Sequence, residues 1–307
     1  MSATPRLDPR AVRAALRDEG LRARRSLSQN FLADVDVLEA ILAEAAPSPG
    51  RRILEVGPGL GILTGGLLDA GAAVVAVELD RGLAARLRRE RAAEIDRAAA
   101  DRAAPGGLTL VEGDILDVEV GSFVRPPYDV VANLPYHITS PVLHRFLGGE
   151  PRPARLVLML QKEVADRIAA PPGAMSYLSV FVQYHATVRI ALVVPPGAFV
   201  PAPAVSSAVV VLEPRPAGGP DRLDPAAEAS LWRLVQAGFR ERRKMLHNVL
   251  SRQLPVPAAT VAAALAATGI APDRRPQTLS VEEWRRLAEA LDPAAAETAA
   301  TPTAAPR

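Results

Sequence analysis

The sequence predicts an α/β fold: a doubly wound, Rossmann-like sheet followed by a small C-terminal domain that is entirely helical. Three observations predict it. From Arg51 to about Pro214, apolar runs that read as buried strands alternate with helical patterns, as a doubly wound sheet requires. The first run, Arg52-Ile53-Leu54-Glu55-Val56, passes straight into a glycine turn, Gly57-Pro58-Gly59-Leu60-Gly61. Beyond a Pro- and Gly-rich linker at 214–220, apolar residues recur at helical spacing around Trp232, Val261–Leu265 and Trp284-Leu287-Leu291.

The elements follow in order. Residues 1–20 are a polar, alanine-rich extension in which Val12, Ala15 and Leu16 suit a short helix. Asp34 is placed to cap a helix through Val35, Leu38, Ile41 and Leu42. After the first strand and its glycine turn, Ile62–Asp69 reads as a helix, and Ala73–Glu78 as a second buried strand that ends in an acid. Arg88 to Arg102 is charged and alanine-rich, which predicts one extended surface helix. Leu108–Val111 is a third strand leading to Glu112-Gly113-Asp114, and Tyr128–Ala132 a fourth leading to Asn133-Leu134-Pro135-Tyr136. Residues 156–160 form the fifth strand. Residues 178–194 and 205–212, bordered by prolines, read as the antiparallel pair that closes the sheet.

In the helical domain, 221–292, a single helical pattern buries Leu231, Leu234, Val235, Phe239, Leu246, Val249 and Leu250. Arg240, Arg242, Arg243 and Lys244 then project from its other face. The tail, 293–307, is Ala, Thr and Pro with nothing to bury, and is expected to be disordered.

Composition bounds the function. A chain of 307 residues suffices for one large domain and a smaller one. The absence of cysteine excludes disulfides and thiolate metal sites. Four scattered histidines with no paired ligand spacing give no reason to expect a metal. The N-terminal residues lack the apolar core of a signal peptide, and no apolar run approaches membrane-spanning length, so a cytoplasmic protein without a membrane partner is expected. A net charge of +2 says little alone. Clusters at Arg22, Arg24 and Arg25 and at Arg240–Lys244 say more, because guanidinium groups suit phosphate contacts. An ordinary solvated helix face is the plain alternative.

The strand ends carry the chemistry. In open α/β sheets, ligands bind at the carboxyl edge. Glycines there allow a tight turn and close backbone approach at a helix N-terminus. Glu55 ahead of G-x-G-x-G points to S-adenosylmethionine rather than a dinucleotide. Glu78 is placed to accept hydrogen bonds from ribose hydroxyls, and Asp114 from an adenine amino group. At the fourth strand end, the Asn133 side-chain oxygen and a carbonyl of Leu134 or Pro135 would accept both N–H bonds of a substrate adenine amino group. That group is a poor nucleophile until its lone pair leaves conjugation with the ring. Tyr136 would stack on the base.

In these blocks the chain resembles the bacterial small-subunit (16S) ribosomal RNA adenine N6-dimethyltransferases of the kasugamycin-sensitivity family, over roughly residues 20 to 290. The resemblance rests on Ser28–Leu32, Glu55–Gly61, Glu78-Leu79-Asp80, Gly113-Asp114, Asn133–Tyr136, Leu160–Arg167, Phe199–Pro203 and Arg242-Arg243-Lys244. It implies that residues 21–214 are a catalytic domain that binds S-adenosylmethionine, and that 221–292 binds RNA. It implies a cofactor site of Asn30, Leu32, Gly57, Gly59, Glu78, Asp114 and Asn133. It implies a target-base site of Asn133, Leu134, Pro135 and Tyr136, with Phe199 closing on the other face of the adenine. The implied reaction is dimethylation of two adjacent adenosines in the 3′-terminal hairpin loop of the 16S rRNA. The expected partner is 16S rRNA in partly assembled small subunits, with the protein a monomer and transfer a direct in-line displacement.

Three positions depart from the family pattern. Ala204 and Ser206 stand where Lys and Asp are usual, and His137 where Asn is common. His137 is expected to line the site, since an amino group attacking a sulfonium sheds its proton after transfer and needs no strong base. Rival readings are an erythromycin-resistance-type methylase of large-subunit RNA, a DNA adenine methylase, a ribosome-assembly factor without catalysis, and a small-molecule methyltransferase. Leu134 and the long helical C-terminal domain favour the small-subunit reading over the first.

Overall fold

The computed structural model describes residues 7–18, 29–216, 219 and 223–291. The expectations for Arg22, Arg24 and Arg25, for Ser28 and for the tail from Pro293 lie outside the described residues. The chain divides into two compact units, Met1–Asp166 with His185–Pro214, and Arg167–Tyr184 with Arg215–Arg307.

The first unit holds a seven-stranded mixed sheet. Its strands are β2 (Arg52–Val56), β3 (Ala73–Glu78), β4 (Leu108–Glu112), β5 (Asp129–Asn133), β6 (Arg155–Gln161), β7 (Ala186–Val194) and β9 (Ser207–Pro214), in the order β4-β3-β2-β5-β6-β9-β7. The five from β4 to β6 run parallel, while β9 is antiparallel to both β6 and β7. Strand β2 is followed in sequence by β3 on one side and has β5 on the other, so the order reverses there. A doubly wound sheet opens its ligand crevice at that point, outside the carboxyl ends.

Local sequence explains the elements that shape this edge. Helix α2 (Val35–Ala45) starts at Asp34, whose carboxylate accepts from Asp36 N and Val37 N. That satisfies two of the N–H groups a helix start leaves open. Helix α3 (Ile62–Asp69) begins directly after the glycine turn and buries Leu63, Leu67 and Leu68 against the sheet. Helix α4 (Arg81–Glu90) is capped by Asp80, which accepts from Gly82 N and Leu83 N. Helix α1 (Pro9–Asp18) buries Val12 and Leu16 in a small cluster with Phe31, Leu60, Leu83 and Val200. A two-residue strand β1 (Phe31–Leu32) pairs with β8 (Phe199–Val200), which the sequence reading did not anticipate.

Three expectations need correction. Residues 178–185 are not strand: helix α8 spans Tyr177–His185, and the edge strand begins only at Ala186. The single surface helix expected over Arg88–Arg102 is two, α4 and α5 (Ala92–Ala100), broken at Arg91. The segment Arg167–Tyr184 groups with the C-terminal helices rather than with the sheet, so the chain is not cut once near 214.

The second unit packs α9 (Pro225–Arg240), α10 (Leu246–Gln253), α11 (Ala258–Ala267) and α12 (Val281–Leu291). Trp284, Leu231, Val235, Leu250, Leu265 and Leu287 are fully buried in its core, together with Val180 and Tyr184. The segment joins this core because its aromatics have partners there. Tyr184 meets Trp232 edge-on at 5.2 Å between ring centres, and Phe181 lies 5.2 Å from the same indole.

Candidate active site

A cavity of about 140 Å³ opens along the carboxyl edge of β2, β3, β4 and β5. Its wall includes Asn30, Leu32, Gly57, Gly59, Glu78 and Asp114, and also Asn133, Leu134, Pro135 and Tyr136. Ten of the predicted site residues are thus gathered into one space.

The glycine turn forms the floor. Gly57, Gly59 and Gly61 have φ of 67°, 58° and 74°, a region costly for any residue with a Cβ. A Cβ on Gly57 would meet no atom within 4 Å, so it would project into open space, whereas one on Gly59 would press on Phe31 at 3.3 Å. Gly57 N donates to Val77 O at 2.9 Å and Gly61 N to Pro58 O at 2.9 Å, which ties the turn to the end of β3 and closes it on itself.

Two carboxyls lie deep in the wall. Glu78 accepts from Gly59 N at 3.0 Å and from Asp80 N at 2.8 Å. Burial raises its pKa above the ordinary value, although both main-chain bonds pull the other way. Glu55, the penultimate residue of β2, is more extreme. Its side chain is shut from solvent and Oε2 lacks a hydrogen-bond partner, and burial lifts its pKa from 4.5 to about 8. The neighbouring Glu78 charge adds to the rise, and the polar groups of Thr64 oppose it. At neutral pH Glu55 is therefore mainly an uncharged acid.

The other strand ends are held by short loops. Asp114 Oδ1 accepts from Leu116 N at 2.9 Å. The loop beyond it is pinned by Arg145, whose guanidinium donates to Leu116 O at 2.7 Å and to Val118 O. Asn133 Nδ2 donates to the Asn30 main-chain oxygen at 3.1 Å, which leaves Oδ1 as the atom available for a ligand. Leu134 N donates to Met159 O at 3.0 Å, so its backbone is still tied to β6. Pro135 O accepts from Ile138 N at 3.1 Å and closes a short 3-10 turn. Tyr136 is half-buried, its hydroxyl 2.9 Å from Ser207 Oγ.

Some predicted residues fall elsewhere. Phe199 is not on the cavity wall: it is buried in the main core with Leu32 and Val209. Arg240, Arg242, Arg243 and Lys244 do not share one helix face. Helix α9 ends at Arg240, and the next three lie exposed in the turn before α10. Arg240 donates to Gln253 Oε1 at 2.8 Å. Conversely, sequence reasoning gave no wall position to Leu79, Ile115 or Phe31, which supply apolar surface. Leu79 and Ile115 directly follow the strand-end acids Glu78 and Asp114, which is the signal that would have found them. Among the described residues, no group of three or more His, Asp or Glu could hold a metal ion.

The sequence matches the model of the ribosomal RNA adenine dimethylases over residues 20–292. The chain belongs to that family. It is therefore a methyltransferase. Among its relatives, ribosomal RNA small subunit methyltransferase A of Geobacter sulfurreducens is 42% identical over 283 residues, covering 90% of this chain and 98% of its own. The Ruegeria sp. protein of that name is 40% identical over 298 residues, covering 95% and 99%. Among solved structures, a dimethyladenosine transferase from Plasmodium falciparum has a TM-score of 0.69 at 24% identity over 84% of this chain and 95% of its own, a likeness of fold. The 23S rRNA methyltransferase ErmE has a TM-score of 0.65 at 28% identity, covering 85% of this chain and 99% of its own. For this family the cavity fits a nucleoside-bearing cofactor. It offers acids at two strand ends, a glycine whose missing Cβ leaves room, and an orphaned buried carboxyl oxygen.

Proposed function

We propose that this protein transfers methyl groups from S-adenosylmethionine to N6 of two adjacent adenosines in the 3′-terminal hairpin loop of small-subunit (16S) rRNA, acting on partly assembled small subunits. The observation that carries the reading is Asn133: its amide nitrogen is committed to Asn30 O, so its oxygen is the acceptor beside Tyr136. A planar amino group needs two acceptors to bring it toward a pyramidal geometry. Pro135 O is already occupied by Ile138 N, which favours Leu134 O as the second.

Glu78 would hold the cofactor's ribose hydroxyls and Asp114 its adenine amino group. Gly57 and Gly59 allow the backbone close approach, and Asn30 and Leu32 complete the wall. When bound, S-adenosylmethionine supplies a methyl group made electrophilic by its sulfonium. Tyr136 offers a ring face to the target base. Its hydroxyl, with a pKa raised by burial, stays protonated at neutral pH and serves as no base. Positioning and fixed polar groups would then supply the rate. An unpaired loop base suits such a site, because RNA readers stack and edge-bind splayed bases. Arg242, Arg243 and Lys244 are assigned to the RNA backbone. Phe199 would need to leave its core position to cover the adenine. The relatives' shared name supports the small subunit as target, while the likeness to a 23S enzyme keeps large-subunit RNA as the second reading.

The test is Asn133→Ala. Turnover on unmethylated small subunits should fall about a hundredfold or more, with S-adenosylhomocysteine binding weakened but measurable by calorimetry. Wild-type turnover in that variant would remove the role given to Asn133.

A further inference from the structure

Ser207 is the first residue of β9 and is shut from solvent. Its backbone is clamped on both sides, opposite Gln161 of β6 and Val194 of β7. The preceding carbonyl, Ser206 O, accepts from Lys162 N at 2.9 Å. The Ser207 hydroxyl therefore stands at a fixed point, and the group it meets is the Tyr136 hydroxyl at 2.9 Å. Tyr136 stands in the opposite condition. It follows Pro135 on a three-residue turn and borders the cavity, and its hydroxyl end is held by this one bond to the start of β9. A buried hydroxyl without a partner is unfavourable, so the pair holds itself together.

We infer that Ser207 is a positioning residue for methyl transfer: through the Tyr136 hydroxyl it sets the plane of the ring on which the target adenine stacks. The inference rests on the reading of Tyr136 as the base platform. It also gives a use to the block after Phe199. Ala204 and Ser206, which depart from the family pattern, are partly exposed or exposed loop residues. Ser207, one step further on, is the residue that reaches the site.

Ser207 does not border the cavity, so its removal leaves the cofactor walls intact. Ser207→Ala should lower kcat/KM for small-subunit RNA about tenfold, the effect of one lost hydrogen bond that orients a reacting partner. Affinity for S-adenosylhomocysteine should be unchanged. Tyr136→Phe keeps the ring and removes the same bond, so it should lose a similar factor. The double variant should be no worse than the poorer single one. Ser207→Thr, which restores a hydroxyl, should recover most of the loss.

A second readout needs no RNA. Tyr136 is one of four tyrosines, so isotope-labelled tyrosine spectra can follow its phenol alone. Losing Ser207 should raise its titration midpoint, because that bond holds the pKa down against burial. Multiplied losses in the double variant, or an unmoved Tyr136 titration, would overturn the inference. A wild-type enzyme silent on small-subunit RNA, with the Tyr136 shift still present on Ser207→Ala, would instead overturn the proposed substrate and leave the pairing standing.

Discussion

Glu55 shows what a single position can dictate. It lies next to the carboxyl end of a parallel strand, between the buried Leu54 and Val56, and it borders the cavity. A folded-state pKa of about 8 against an ordinary 4.5 means that the folded protein holds a proton the unfolded chain releases. The stabilisation this gives is complete below about pH 4.5 and is lost as pH rises through about 8. Glu78, also raised, has the same sign. Chemical denaturation should therefore show stability falling by on the order of 1 kcal/mol per pH unit between pH 6 and pH 8 and levelling off above. Glu55→Gln, neutral throughout and nearly the same shape, should flatten much of that fall. Parallel curves for the two proteins would contradict the burial argument. Glu78, Asp114 and Asn133 were legible in the sequence because each closes an apolar run. The depth of Glu55 was not, because it depends on how α3 packs over β2. Nor was the meeting of Tyr136 with Ser207, across 71 residues of chain.

Among the elements, the helices of the second unit depend on one close approach. Gly238 in α9 lies against Trp284 of α12, and a Cβ there would meet the indole at 2.5 Å. The ring is fully buried and also packs on Phe239 at 5.8 Å. Gly238→Ala should thus destabilise this unit by about 1–3 kcal/mol, the usual range for overpacking, despite alanine's better helix propensity. Both tryptophans of the chain, Trp232 and Trp284, lie in this unit, so intrinsic fluorescence unfolding measures the effect directly. A stabilised variant would show that the indole shifts freely. The misreading of Tyr177–His185 has a similar origin. Its run of Val180, Phe181 and Val182 is too short and too evenly apolar for periodicity to separate buried helix from strand. Its aromatic contacts with Trp232, more than forty residues away in sequence, decide the matter. The basic residues were read on a helix face because a 3.6-residue pattern continues through 231–250. The chain instead turns between Arg240 and Leu246, with Lys244 N bonded to Glu241 O at 2.8 Å.

At the scale of the whole molecule, the residues proposed for catalysis and the exposed Arg242, Arg243 and Lys244 lie in different units of the chain. Replacing Arg242, Arg243 and Lys244 by alanine should weaken RNA binding and reduce the slope of log affinity against log salt by about 2, since each lost phosphate contact removes part of the counterion release. The folded cofactor site should be untouched, with S-adenosylhomocysteine affinity as the control. An unchanged salt slope would reduce the turn to a solvated one. The unit division itself was only half legible. The Pro- and Gly-rich stretch near 214 announced a boundary, but the passage of Arg167–Tyr184 into the helical unit is a matter of tertiary packing.

The substrate is decided by transfer of labelled methyl groups from S-adenosylmethionine to unmethylated small subunits and to large-subunit RNA in parallel, with the modified bases mapped. The prediction is label confined to two adjacent dimethyladenosines in the 3′-terminal hairpin of the small-subunit RNA. Label found only in large-subunit RNA, or in neither RNA while small-subunit binding persists, would contradict it.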